Sequence, residues 1–163
     1  MFKGKMLVSG IILTIAALGQ IIAVIVFYDP QANTARINIG WFVMMLSAVF
    51  GWLPILTFRQ KGQVEGRSYM HTTVVVDSGI YSIVRHPQYL AGILMAIAFS
   101  LITLHWLVAL LGLVVIVNCY STTFDEEVRC IEKFGDEYRQ YMQRVPRINF
   151  LAGIARLVRS RLQ

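Results

Sequence analysis

Cysteine, histidine and charge are all scarce in this chain. Of its 163 residues only two are cysteine and three are histidine. Cys119 falls inside an apolar run and Cys130 just beyond it, on the side expected to be reducing, which excludes a disulfide scaffold. His71, His86 and His105 are scattered, with neither an i, i+4 partner nor a carboxylate pattern, so no metal site is expected. Charged residues make up 15% against 56% hydrophobic, and a mean hydropathy of +0.61 excludes an ordinary soluble domain. Internal repeats and low-complexity tracts are absent, and nothing marks a second folded domain.

What the chain does have is long uncharged stretches. Met6 to Tyr28 gives 23 residues without a charge and Ile39 to Phe58 gives 20. At a helical rise of about 1.5 Å per residue, each is long enough to cross a hydrocarbon core of about 30 Å. Tyr89 to Phe124 is equally uncharged, but as one straight helix it would run to roughly 54 Å, so it must fold back on itself. The break is expected around Thr103, His105 and Trp106, where a hydroxyl, an imidazole and an interface-seeking indole fall together. The expected fold class is therefore an all-α integral membrane protein with about four transmembrane helices, the last two a helical hairpin, followed by cytoplasmic amphipathic C-terminal helices. As a single membrane-embedded domain it divides into two N-terminal membrane helices (1–58), a cytoplasmic connection (59–88), the hairpin (89–124) and cytoplasmic or interfacial helices that complete a ligand site (125–163). The opening MFKGK and its apolar run resemble a secretory signal, but the run exceeds an h-region of about 7 to 15 residues and no small-x-small site follows, so a retained first helix is expected.

Orientation follows from the basic residues. With an even number of passes, Lys3, Lys5, Arg59, Lys61, Arg67, Arg85 and every basic residue after Phe124 share one side, leaving only Arg36 on the other. The positive-inside rule then puts both termini, the Arg59 to Pro87 connection and the tail in the cytoplasm. A net charge of +6 is accounted for by topology and attraction to anionic lipid, without a nucleic-acid partner. Within the connection, Thr72 to Val76 reads as a short extended piece.

After Phe124 the pattern changes. Glu127, Ile131, Phe134, Tyr138 and Tyr141 recur at spacings of four and three, which predicts a helix with one carboxylate heading an apolar and aromatic stripe, and Glu132, Asp136, Arg139 and Gln143 on the opposite face. Pro146 ends it. Beyond lies an amphipathic helix, with Ile148, Leu151, Ile154 and Leu157 or Val158 on one side and Arg156, Arg159 and Arg161 on another, the pattern of a helix lying in a membrane interface.

The stretch GIYSIVRHPQYLAG, residues 79–92, places polar chemistry at the mouth of the hairpin. Pro87 suits the first turn of a helix, where its missing N–H costs nothing. Arg85 and His86 then lie at a helix N-terminus that attracts anionic groups. His86, Tyr89 and Gly92 follow at i, i+3, i+6, with Gly92 leaving room for a ligand or another backbone. The hairpin returns the chain to the same membrane face at Asp125, Glu126 and Glu127. Cations and aromatics facing carboxylates suit a zwitterionic ligand. Each residue also has an ordinary reading: Arg85 as a snorkelling anchor, His86 as a cap, Tyr81, Tyr89, Tyr138 and Tyr141 as an interface belt, Glu126 and Glu127 as acids favoured at a helix start.

Taken together, the pattern R-H-P-x-Y-x-x-G, then an apolar hairpin, then E-E-x6-F-G-x-x-Y-x-x-Y-x4-P resembles the isoprenylcysteine carboxyl methyltransferases and the related phospholipid N-methyltransferases over about residues 78–154. Many members carry glycine two residues after the tyrosine, where this chain has Ala91 with Gly92 following. The resemblance implies an integral membrane enzyme that uses S-adenosylmethionine on a lipid-like or prenylated acceptor. It implies cofactor contacts from Tyr81, His86, Tyr89, Gly92, Glu126 and Glu127, with Arg85 near the cofactor's carboxylate. Catalysis would fall to Glu127, His86 and Arg85, with Glu127 or His86 as the base if the acceptor is an amine. Tyr138, Tyr141, Pro146 and Arg147 would cover the site and meet the substrate. The first acceptor expected is the carboxylate of a prenylated cysteine, with a phospholipid amine next.

Two other functions fit parts of the pattern. Nicotinamide-dependent sterol or polyprenyl double-bond reductases share an R-H-x-x-Y turn and a stretch partly matched by Cys130, Lys133, Phe134, Gly135 and Tyr138, although the proline in RHPQY fits the methyltransferases better. A non-enzymatic membrane scaffold would leave the polar cluster at membrane depth without a task.

Overall fold

The structure is a computed structural model, and it describes residues 2–31, 33–61 and 74–162. Among them the regular structure is helical throughout: α1 (Phe2–Phe27), α2 (Thr34–Lys61), a short 3-10 turn (Gly79–Ser82), α3 (Pro87–Thr103), α4 (Trp106–Phe134), α5 (Asp136–Arg144) and α6 (Phe150–Arg161). Three helical segments are long and apolar enough to cross a membrane, namely Leu7–Phe27, Thr34–Gln60 and Trp106–Phe134. Helix α3 is apolar but has 17 residues, about 25 Å of helix. The residues expected to be extended begin at Thr72 and Thr73, which lie outside the described residues; Val74 to Val76 form no strand.

The hairpin break falls where the sequence placed it. Helix α3 ends at Thr103 and α4 starts at Trp106. Leu104 takes a left-handed φ of 49°, a conformation costing an L-residue roughly 1–2 kcal/mol, and its N–H donates to the Ser100 carbonyl at 2.9 Å. The His105 ring stacks on Phe27 at 3.6 Å between centroids, and its Nδ1 accepts from the Leu107 N–H. Pro87 is the first residue of α3, as expected.

At the other end of the hairpin the expectation needs correction. Helix α4 does not stop near Phe124 but continues to Phe134, so the acidic run from Asp125 to Glu127 lies within it. The helix expected to run on to Pro146 is instead interrupted at Gly135, whose φ of 60° and ψ of −131° is a combination that essentially only glycine adopts. Helix α5 restarts at Asp136 and ends before Val145 and Pro146. The interruption leaves the aromatic stripe in place: Ile131 and Phe134 of α4 pack with Tyr138, Tyr141 and Val145.

The chain divides into two compact units. The first comprises Met1–Val49 and Tyr89–Thr122. Its helices are joined by a few buried or part-buried polar contacts within otherwise apolar surfaces. Gln20 on α1 donates to the carbonyls of Ala96 and Val108 at 3.0 and 3.1 Å, Ser47 on α2 donates to the Ala91 carbonyl at 2.8 Å, and Ser9 meets Asn118 and Thr122 of α4, each at 3.1 Å. In a hydrocarbon environment such groups must find partners inside the protein, so they fix helix register. The second unit comprises Phe50–Gln88 and Thr123–Gln163, and it contains the polar cluster described next.

Candidate functional site

Glu127 is the centre of this cluster. It lies one helical turn past Thr123 on α4, and its side chain is only 5% exposed. Three cationic or potentially cationic groups converge on its two oxygens. Arg147 donates twice, Nε to Oε1 at 3.0 Å and Nη2 to Oε2 at 2.6 Å. Arg85 Nη2 stands 3.1 Å from Oε1, and His86 Nε2 lies 3.3 Å from the same oxygen. Among the ion pairs of the described residues, two guanidiniums and an imidazole face the one carboxylate of Glu127. Buried charge requires such pairing, because the desolvation cost of each ion in isolation is several kcal/mol.

The backbone explains how residues so distant in sequence meet. The 3-10 turn feeds a short connection to Pro87, in which the N–H groups of Arg85 and His86 donate to the carbonyls of Pro146 and Arg147 at 3.0 and 3.1 Å. These two bonds set Arg85, His86 and Arg147 side by side. Tyr141 of α5 adds a third tie, its hydroxyl donating to the Tyr81 carbonyl at 2.7 Å. Burial pushes the phenols of Tyr138 and Tyr141 well above the usual tyrosine range, so both remain neutral donors. Under Arg147, the Phe124 ring lies 3.7 Å from the guanidinium carbon, a cation–π contact that supports its orientation.

Of the residues singled out in the sequence, Arg85, His86, Glu127 and Arg147 are thus brought together. Glu126 is not with them: it turns aside to pair with Arg129, one turn on, and is about one-third exposed. Tyr81 takes part through its backbone carbonyl, while its ring rests on Phe58 with centroids 4.7 Å apart. Tyr138 and Tyr141 belong to the apolar cluster that supports the site. Tyr89 and Gly92 belong to the first unit, where Gly92 faces Cys119 so closely that an added β-carbon would lie 3.0 Å from its sulfur.

Sequence reasoning missed two contributors. Arg156 was expected on the outer, polar face of the last helix, yet its guanidinium turns inward and donates to the Ser82 carbonyl. Gly153 packs on the Ile83 carbonyl of the same connection. Helical spacing alone placed Arg156 with Arg159 and Arg161, and nothing local marks Arg156 as turning in. Among the described residues no cluster of histidine, cysteine and carboxylate side chains could hold a metal, and Cys119 and Cys130 are unpaired.

Comparison with known proteins adds an independent line. The family model for phospholipid methyltransferase matches residues 35–137. A curated relative, the protein-S-isoprenylcysteine O-methyltransferase of Schizosaccharomyces pombe, is 30% identical over 121 residues, which cover 68% of this chain and 51% of that protein. The chain therefore spans about half the length of the curated relative it matches. No solved structure matches.

Proposed function

Since this chain belongs to the phospholipid methyltransferase family of membrane methyltransferases, we propose that it transfers a methyl group from S-adenosylmethionine to a lipid-like acceptor embedded in the membrane, in the first place the carboxylate of a prenylated cysteine. Both termini and the tail then face the cytoplasm, as the distribution of basic residues favours.

The observation that supports this reading is the unused donor capacity of Arg85 beside Glu127. Arg85 commits only one nitrogen to Glu127, while its Nε and Nη1 are buried without a partner among the described residues. A buried guanidinium with unused donors suits an anion, and the carboxylate of S-adenosylmethionine is one. Glu127, with both oxygens engaged by Arg85, His86 and Arg147, would act by orienting those groups toward the cofactor. Arg85, His86 and Glu127 are the residues that would hold it. When bound, the cofactor supplies a methyl already activated on a sulfonium centre. The chain's own task is then alignment and exclusion of water, which buried and mutually hydrogen-bonded groups perform without supplying a reactive group of their own.

The same geometry favours a carboxylate over an amine as acceptor. A protonated amine must lose a proton before it can attack, and Glu127 would be its natural base. Yet both Glu127 oxygens already accept from guanidinium donors, which makes this carboxylate a poor proton acceptor. A carboxylate acceptor requires no base and is attracted by the cationic groups around Glu127. The reductase and scaffold readings gain nothing from the comparisons.

The deciding experiment uses the purified chain in lipid nanodiscs with methyl-labelled S-adenosylmethionine, offered either farnesylated cysteine or phosphatidylethanolamine. Label that base treatment releases as methanol from farnesylated cysteine supports the proposal. Label retained on phosphatidylethanolamine would replace the acceptor, and stabilisation by NADPH but not by S-adenosylhomocysteine would overturn the reaction class.

A further inference from the structure

Among the described residues, helix α6 is covered on one side only. Its inner side lies on the connection that carries Arg85 and His86. A β-carbon at Gly153 would sit 2.0 Å from the Ile83 carbonyl oxygen, so only glycine permits this approach, and Arg156 donates to the neighbouring Ser82 carbonyl. Phe150 adds an apolar anchor against Phe50, with ring centroids 5.4 Å apart. The outer side is different. Leu151, Ile154 and Val158 are 67%, 44% and 54% exposed, and their i, i+3, i+7 spacing gathers them into one stripe. Leu162 continues it just past the helix end.

The charge around this stripe indicates what covers it. From Tyr138 to Gln163 the chain carries Arg139, Arg144, Arg147, Arg156, Arg159 and Arg161 and no acidic side chain. Asp136, Asp77 and Glu127 offset the first three. The remaining three all belong to α6, and Arg159 is exposed beside the stripe. Exposed apolar residues beside an exposed arginine, in a stretch of chain that carries no acidic residue, are complementary to an anionic bilayer surface, where the side chains enter the headgroup boundary and the guanidinium meets lipid phosphates. Membrane is already at hand, because three other helical segments of the chain are long and apolar enough to span it.

We infer that α6 binds the anionic bilayer interface through Leu151, Ile154 and Val158, and that this seating presses Gly153 and Arg156 onto the Ser82 and Ile83 carbonyls and so orders the connection bearing Arg85 and His86. Gly153 and Arg156 are positioning residues: they act on the cluster only through the 82–86 backbone. The consequence for catalysis rests on the proposed cofactor site; the membrane seating and its grip on the connection do not.

The test is hydrogen exchange of the Ile83 to His86 amides in the full chain without cofactor, in nanodiscs of phosphatidylcholine alone and of phosphatidylcholine mixed with phosphatidylglycerol. Anionic discs are expected to slow exchange about tenfold, an advantage that high salt reduces. Serines at Leu151, Ile154 and Val158 together should remove the difference, as should Arg156→Ala, with partial rescue by Arg156→Lys. Equal exchange of the wild-type chain in both discs would overturn the inference, as would crosslinking of Ile154 to a second copy in both. S-Adenosylhomocysteine titrated into the same samples separates the two readings. Lipid-dependent exchange without binding keeps the seating and removes the cofactor site, whereas binding with lipid-independent exchange does the reverse.

Discussion

Arg147 holds Glu127 with two parallel donors, Nε to Oε1 at 3.0 Å and Nη2 to Oε2 at 2.6 Å, while the Phe124 ring supports the same guanidinium from below. A fork-to-fork pair of this kind fixes orientation as well as distance, which a single point charge cannot do. It ties the chain beyond α5 to α4, and its Oε1 end is the oxygen that Arg85 and His86 also use.

Glu127→Gln keeps the shape of the side chain and removes its charge. Two partly buried guanidiniums then lose their counter-ion, a change expected to cost about 3 kcal/mol. Thermal unfolding in detergent should show a clearly lowered midpoint, and S-adenosylhomocysteine should bind at least about tenfold more weakly. An unchanged midpoint would mean that the ion pairs are screened by water.

Arg147→Lys tests the fork itself. Lysine retains the charge but can neither span both carboxylate oxygens nor stack flat on Phe124. The expected result is a loss of about 1–2 kcal/mol, intermediate between wild type and Arg147→Ala, read as unfolding midpoint and as KM for a carboxylate acceptor. Full rescue by lysine would reduce Arg147 to a simple charge.

Gly135→Ala isolates a backbone effect, because an added methyl at this position meets nothing within 4 Å. Any loss therefore reports the left-handed φ alone, expected at about 1–3 kcal/mol. Since the residue sits between α4 and α5, loss of protection should concentrate in Asp136–Arg144 when followed by hydrogen exchange.

Tyr138 and Tyr141 predict an alkaline limit to stability. Burial raises both phenols above their ordinary value near 10, so the folded state favours the neutral form. Their contribution is complete below about pH 10 and is lost as pH climbs through the raised range, since the unfolded chain gives up these protons first. Tyr141→Phe should cost about 1 kcal/mol at neutral pH through the lost bond to the Tyr81 carbonyl, and should make the alkaline fall shallower. A pH profile of the unfolding midpoint that is the same for both proteins would contradict this.

Much of this was readable along the chain. Apolar runs longer than a bilayer core force helices, an overlong run forces a reversal, and a proline after Arg85 and His86 marks a helix start; these depend on local sequence and length, so they survived contact with the structure. What remained illegible depends on rotation and on distant partners. Glu126 and Glu127 are neighbours of the same chemical type, but about 100° of helical rotation separates them, and only the packing of α4 against residues 85–86 and 147 turned one inward and left the other with Arg129. Likewise, three arginines on α6 look alike in sequence, and the close approach at Gly153 to the Ile83 carbonyl brought Arg156 to the Ser82 carbonyl. Length, polarity and turn chemistry are properties of a segment, whereas the direction a side chain faces is decided by what a remote segment places opposite it.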